Sequence, residues 1–470
     1  MTTEKKAVDR RSFMKGALAT VAVIPFSGAI AACAGGGSDA APKKAGGKVS
    51  TTNPFGMADK SSVDAVIFDG GYGTDYVSFA ATLMQKNHAG STVKVSPTTK
   101  IATELQPRFV GGNPPDLIDN SGADAIGFST ILEQLEDLKD VLDANNLEGQ
   151  KIRDTLFGGV EEPGTYDGKL AALNYVLTVY AVWYSASLFE QNGWTPPKTW
   201  DEAMALGAKA KAKNKYLFLW GKEAATYYQT LAIGSAIKEG GDEVRLSLEN
   251  LEGDCWSKPA VQSVFKALGE IIKAGYMKPG GAGTQFTAAQ AQWSNNQDAL
   301  LYPSGSWIEN EMKDTTKADF KMTGTAEMTV TTGSSMPYTA LHSASGEPFV
   351  VPSKGKNVPG GKELLRTMLS KEAATNFAKT KLAPTIVKGT VPADGFGSTA
   401  LVSQNDLLSA AGTDVFTWKF VDLYGMNPDQ LVPWNSFLAG KIDAAALTKA
   451  LQEITDKVAN DDSIKKIQVT

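Results

Sequence analysis

Histidine and cysteine are scarce in this chain. Its 470 residues hold two of each: His88 and His342, Cys33 and Cys255. Zinc sites need three or four Cys or His ligands gathered together, and Cys–His nucleophile pairs or histidine-based triads need an orienting partner as well. Those chemistries are nearly excluded. Phosphate-binding loops are missing too. Gly46-Gly47-Lys48-Val49 has no Ser or Thr after its lysine, and Gly71-Tyr72-Gly73 lacks the third glycine of a dinucleotide fingerprint. No cofactor and no metal are expected. The longest apolar run, 17–32, is too short for a comfortable membrane span, and no repeat of 20–50 residues is present.

The start of the chain has the pattern of an export signal. Lys5, Lys6, Arg10, Arg11 and Lys15 precede the apolar run, and small residues follow it. Arg10-Arg11-Ser12-Phe13-Met14-Lys15 resembles the twin-arginine pattern, and Ile30-Ala31-Ala32-Cys33 resembles a bacterial lipobox. Together they imply a removed signal peptide over 1–32 and acylation of Cys33, which would anchor the protein on the outer face of the cytoplasmic membrane. The alternative is a plain signal peptide with a chance cysteine. Residues 33–62, rich in Gly, Ala, Ser, Lys and Pro, read as a flexible tether. With Cys33 acylated, Cys255 has no disulfide partner and reads as a small buried hydrophobe beside Trp256. The whole chain carries −5, and removing a signal of net +3 leaves −8 on the remainder. So acidic a body argues against nucleic acid as a partner.

Beyond the tether the punctuation is that of an α/β protein. Residues 64–68 form a branched, apolar strand ended by Asp69-Gly70-Gly71-Tyr72-Gly73. Tyr76, Phe79, Ala80, Leu83 and Met84 recur at helical spacing. Residues 92–95 give a second strand, 100–111 a second helix, and 116–118 a third strand ended by Asp119-Asn120-Ser121-Gly122. Strand, helix, strand, helix, strand is a parallel unit, and ligands gather beyond the carboxyl ends of such strands, here at Asp69–Tyr72 and Asp119–Ser121. The middle of the chain has helices of its own, one opened by the capping box Thr199-Trp200-Asp201-Glu202. Pro348–Pro352 reads as a strand and 361–379 as one helix. A tail helix aligns Leu447, Leu451, Ile454 and Val458 on one stripe.

Four passages, in order, resemble the extracellular solute-binding proteins of carbohydrate ABC transporters, the maltose-binding-like family. They are Arg108 to Ile118; Tyr166 to Leu170 with Val182-Trp183-Tyr184, Leu188-Phe189 and Pro196 to Glu202; Phe286 to Trp307; and Phe349 to Lys379. The double-arginine start and residues 410–416 are further similar to the actinobacterial binders of N-acetylglucosamine and chitobiose. The sequence departs from the family pattern at Leu173-Asn174-Tyr175 and Asp298-Ala299-Leu300-Leu301. The resemblance implies a periplasmic-binding-protein-like fold of two α/β lobes joined by a hinge, with the ligand in the cleft between them. Lobe 1 would comprise 63–176 with 347–391, and lobe 2 would comprise 177–346 with 392–470. It implies a monomeric, non-enzymatic receptor that delivers an oligosaccharide or amino sugar to a membrane permease.

A pyranose presents a C–H face and a hydroxyl rim, so its site needs aromatic planes with flanking carboxylates and amides. Trp307 follows Gly305 and falls on the family's "G-x-W" stacking position. Asp69, Tyr72, Asp119 and Asn120 lie beyond the first and third strands. Trp220, Glu223 and Tyr227 lie where the resemblance places an acid and aromatics of the second lobe. Thr178 marks the crossing between lobes, Glu309 offers a hydroxyl acceptor, and Trp418 is favoured over Trp434 as a stacking aromatic near the tail. Trp183, Trp194, Trp200 and Trp256 read as core. Two other functions stay open: an exported glycoside hydrolase using Glu309 and Asp69, and a ferric-ion receptor using Tyr227-Tyr228.

Overall fold

A computed structural model describes residues 46–157 and 159–469, together with the backbone alone at 344–345. The signal peptide, Cys33 and most of the tether lie outside the described residues. Eleven strands are described: β1 (Ser62–Phe68), β2 (Thr92–Thr98), β3 (Leu117–Asp119), β4 (Thr165–Tyr166), β5 (Lys169–Leu170), β6 (Leu173–Ser185), β7 (Tyr216–Phe218), β8 (Ala299–Gly305), β9 (Met322–Thr325), β10 (Leu341–Val350) and β11 (Val415–Phe416). Nine form one sheet in the order β2-β1-β3-β10-β6-β8-β7, with β11 beside β10 and β9 beside β6.

The expected parallel unit is present. β1 pairs parallel with β2 and with β3, so the loops after β1 and β3 leave the same edge of the sheet. Val63, Ala65, Val66 and Ile67 of β1 are all buried, as a strand covered on both faces requires. The helix Asp75–Asn87 buries Tyr76, Val77, Ala80, Ala81, Leu83 and Met84.

The 361–379 helix of the sequence reading is two helices, Val358–Met368 and Lys371–Lys381. The break is a capping event: the Ser370 hydroxyl accepts from the Ala373 amide at 3.2 Å and opens the second helix. The capping box at Thr199 forms as read, with its hydroxyl accepting from the Glu202 amide at 3.2 Å.

Two long strands join the halves of the sheet. β10 pairs antiparallel with β3 near its end, at Phe349↔Asp119, and with β6 from Ser343↔Val179 to Phe349↔Leu173. β6 continues past β10 to pair with β8, Tyr180↔Gly305, and with β9, Val182↔Thr325. One apolar cluster draws on residues 57–176 and 349–387, and another, centred on Val179, Trp183, Trp293 and Tyr302, draws on 179–411. A third runs from Val66 and Ile118 to Trp256, Trp434 and Leu451. Trp183, Trp200 and Trp256 are buried, and Trp194 packs at the edge of a cluster. Cys255 is fully buried, and burial pushes its thiol up to about 12.

Candidate functional site

The register of β6 assembles the site. Because Tyr180 stands opposite Gly305, its ring meets Trp307 two residues on; centroids are 5.8 Å apart at 86°. Tyr227, the first residue of the helix Tyr227–Gly240, meets the same indole at 5.8 Å and 65°. The Trp307 side chain packs directly against two glycines. A Cβ on Gly305 would be 1.9 Å from the ring, and one on Gly71 would be 2.8 Å from it. Only glycine permits that approach.

From Tyr180 the ring contacts continue as a stack. The ring of Tyr180 lies on His342 at 4.3 Å and 10°, and His342 lies on Trp418 at 5.2 Å and 22°. Trp418 is half-buried, and its indole Nε1, though buried, has no hydrogen-bond partner. Trp434 is fully buried, with its Nε1 donating to Gln229 at 2.6 Å. The two tryptophans thus divide into an aromatic with spare bonding capacity and a core plug.

The strand-end loops contribute a second group. The Asn310 side-chain amide donates to the Gly71 carbonyl, tying the loop after β1 to the segment after Trp307. Asp69 is exposed, whereas Tyr72 is buried, its hydroxyl facing those of Ser306 and Thr178. Asp119 is also buried. It accepts from Ser121 Oγ and, at 3.4 Å, from the Tyr76 hydroxyl. Burial and the adjoining Glu347 carboxyl push Asp119 well above the carboxylate range. Glu347 has φ +54°, a conformation rare for a non-glycine residue inside a strand.

The other sequence candidates are engaged in scaffolding. Asn120 donates to and accepts from the Ile126 backbone, both at 2.8 Å, clamping its loop. Thr178 is buried, and its carbonyl accepts from Ser343 Oγ at 2.9 Å. Trp220 lies over Gly281 and donates to Asn435 at 3.2 Å. Glu223 accepts from the Phe286 amide at 3.0 Å, at the start of the helix Phe286–Ser294. Glu309 accepts from Ser398 Oγ at 2.5 Å, and burial raises its pKa. Tyr227 and Tyr228 point apart: the first joins Trp307, while the second donates to the Leu219 carbonyl at 2.6 Å. Among the described residues no group of three or more His, Cys, Asp and Glu is placed to hold a metal.

Tyr180, His342, Glu347 and Glu327 belong to this region and were not among the sequence candidates. Tyr180, Tyr227, Ser304, Gly305 and Glu327 line a cavity of about 10 Å³, room for a single water. The aromatic faces are therefore packed against one another in this conformation.

The sheet thus holds two long antiparallel neighbours, β6 and β10, with aromatic rings gathered along them. Two solved sugar-binding proteins share this fold. A chitin oligosaccharide binding protein has a TM-score of 0.70 at 18% identity, covering 85% of this chain and 99% of its own. The protein RafE, in complex with raffinose, has a TM-score of 0.68 at 18% identity, covering 84% and 99%. The chain belongs to the bacterial extracellular solute-binding proteins, whose family model matches residues 66–375. It is 61% identical to the diacetylchitobiose binding protein of Streptomyces coelicolor over the full length of both chains.

Proposed function

We propose that this protein is the substrate-binding component of a carbohydrate ABC importer, selective for diacetylchitobiose or a closely related N-acetylglucosamine sugar. It works exported and lipid-anchored through Cys33, as a monomer that delivers its ligand to membrane permease subunits. The observation that carries this reading is the 61% identity, without truncation of either chain, to a diacetylchitobiose binding protein. The half-buried Trp307 and Trp418, linked by ring contacts through Tyr180 and His342, support this reading as planes for pyranose C–H faces.

The division into lobes 63–176 with 347–391 and 177–346 with 392–470 is part of the same proposal. It is supported by the apolar cluster confined to 57–176 and 349–387. Ligand contacts drawn from both lobes exist only in the shut state, so binding energy shifts the open–closed equilibrium. No bond is made or broken in this cycle.

A thermal-shift screen with chitobiose, N-acetylglucosamine, maltose, cellobiose and xylobiose tests the reading. A ligand at 100 times its Kd stabilises the fold by about 2.7 kcal/mol, which moves the melting midpoint visibly. Chitobiose should give the largest shift. The assignment fails if no saccharide moves the midpoint, or if incubation with chitobiose releases reducing ends.

A further inference from the structure

Glu327 is 2% exposed and lines the cavity beside Tyr180 and Tyr227, yet its Oε2 has no hydrogen-bond partner. A buried carboxyl oxygen without a partner costs stability, and a group entering the cavity beside it would relieve that cost. The backbone is shaped to let it lie where it does. A Cβ on Gly234 would be 2.0 Å from Oε2, so the carboxyl rests directly against the bare turn of the helix Tyr227–Gly240.

We propose that Glu327 reads the N-acetyl group of the ligand, its carboxyl O–H donating a hydrogen bond to the acetamido carbonyl oxygen. This rests on the amino-sugar reading of the cleft and names the residue that distinguishes an acetylated sugar from a plain one. A carboxylate has only acceptors and would meet an amide carbonyl with repulsion, whereas a neutral carboxylic acid is a donor.

The surroundings favour the neutral form. Burial pushes Glu327 up to about 8, against the opposing pull of Lys238. Lys238, one turn beyond Gly234, spends its ammonium on the backbone carbonyls of Glu327 at 2.7 Å and Tyr338 at 3.0 Å. Its own pKa is pushed down to about 8 by burial. From β10, His342 is held down at about 3 by burial and by the charge of Lys238, and so carries no charge near neutrality. From β6 and the helix, Tyr180 and Tyr227 are phenols raised above their ordinary value by burial.

Calorimetric titration of the full mature chain with chitobiose and with its de-N-acetylated counterpart tests this, using wild type, E327A, E327Q and G234A. E327A should lose about 30-fold in chitobiose affinity, and its preference for the acetylated sugar should narrow by a similar factor. E327Q keeps an N–H donor and should stay within about threefold of wild type at pH 7. The wild-type affinity should fall from pH 7 to pH 9 as the acid ionises, and E327Q should lack the Glu327 part of that fall. G234A, which pushes the carboxyl off the helix without removing it, should resemble E327A. Wild-type binding with unchanged E327A affinity and preference overturns the inference and leaves the receptor reading intact. So does a folded E327Q as impaired as E327A. A wild-type protein that binds neither sugar overturns the receptor reading itself.

Discussion

The imidazole of His342 lies nearly parallel to the phenol ring of Tyr180, centroids 4.3 Å apart at 10°, and also stacks with Trp418 at 5.2 Å and 22°. Burial and the nearby charge of Lys238 push its pKa down to about 3. In this setting histidine is a neutral aromatic spacer and not a proton switch. Its folded pKa lies below the unfolded value of about 6.5, so the native state binds fewer protons between those limits. Its contribution to stability is full above that window and is lost as pH falls through it. H342F should therefore gain stability relative to wild type below pH 6 while matching it at pH 8; melting curves across that range check this.

The alkaline side has a different origin. Burial raises Glu311 to about 7 and Glu327 to about 8, above the unfolded carboxyl value. Here the native state binds more protons than the unfolded chain from about pH 4.5 upward, so stability falls as pH rises until both groups ionise. E311Q should flatten the decline between pH 5 and pH 8, by about 1 kcal/mol or more at the upper end. Equal slopes for E311Q and wild type would remove Glu311 from this account.

Trp307→Ala should weaken sugar binding by more than tenfold while costing less stability than removal of a wholly buried indole. The reason is its place on the half-exposed edge of the aromatic cluster, over Gly305 and Gly71. Trp256→Ala is the contrast. That residue is fully buried, donates to Thr455 at 2.8 Å, and its truncation should cost about 3–5 kcal/mol. Paired calorimetry and denaturant melts separate the two effects.

Gly305→Ala keeps every functional group and should still impair binding. The added methyl would stand 1.9 Å from the Trp307 ring, so the indole must leave its present plane. We expect an affinity loss of about tenfold, comparable to losing the platform, with quenching or shift of the tryptophan fluorescence as the structural readout. Unchanged emission with unchanged affinity would show that the plane is not required.

Glu363→Gln provides a control remote from the sugar. Glu363 is fully buried, bonds to His88 at 3.1 Å and accepts from Arg366 at 2.5 Å. Removing its charge leaves a buried guanidinium without its counter-ion and should cost about 3 kcal/mol, seen as a lower denaturant midpoint. Chitobiose affinity measured well below that midpoint should be unaltered.

The local grammar of the fold was legible because it depends on neighbours in sequence. The β1 strand and its Gly-rich stop, the Thr199 cap and the buried stripe of the tail helix are all short-range patterns. The single helix expected across 361–379 failed at one such signal, the Ser370-Lys371-Glu372-Ala373 start, hidden inside an otherwise helical run. Trp307 and Tyr227 were singled out from context, and their rings do meet. Tyr180, His342 and Glu327, which pack beside them, were not, because nothing along the chain distinguishes a strand tyrosine that joins this cluster from one that packs elsewhere. Tyr180 and His342 are placed by the β6–β8 and β6–β10 registers, which join residues more than a hundred positions apart, and Glu327 follows β9, which pairs with β6. Asn120 offered the donor and acceptor that sugar recognition needs, and its own loop claimed both.

The thirteen residues of β6 span about 44 Å as one unbroken peptide, from Leu173 in one apolar cluster to Trp183 in another. Its edges carry β10 over the first half and β8 and β9 over the second, so this ribbon is the common rail on which the two clusters are mounted.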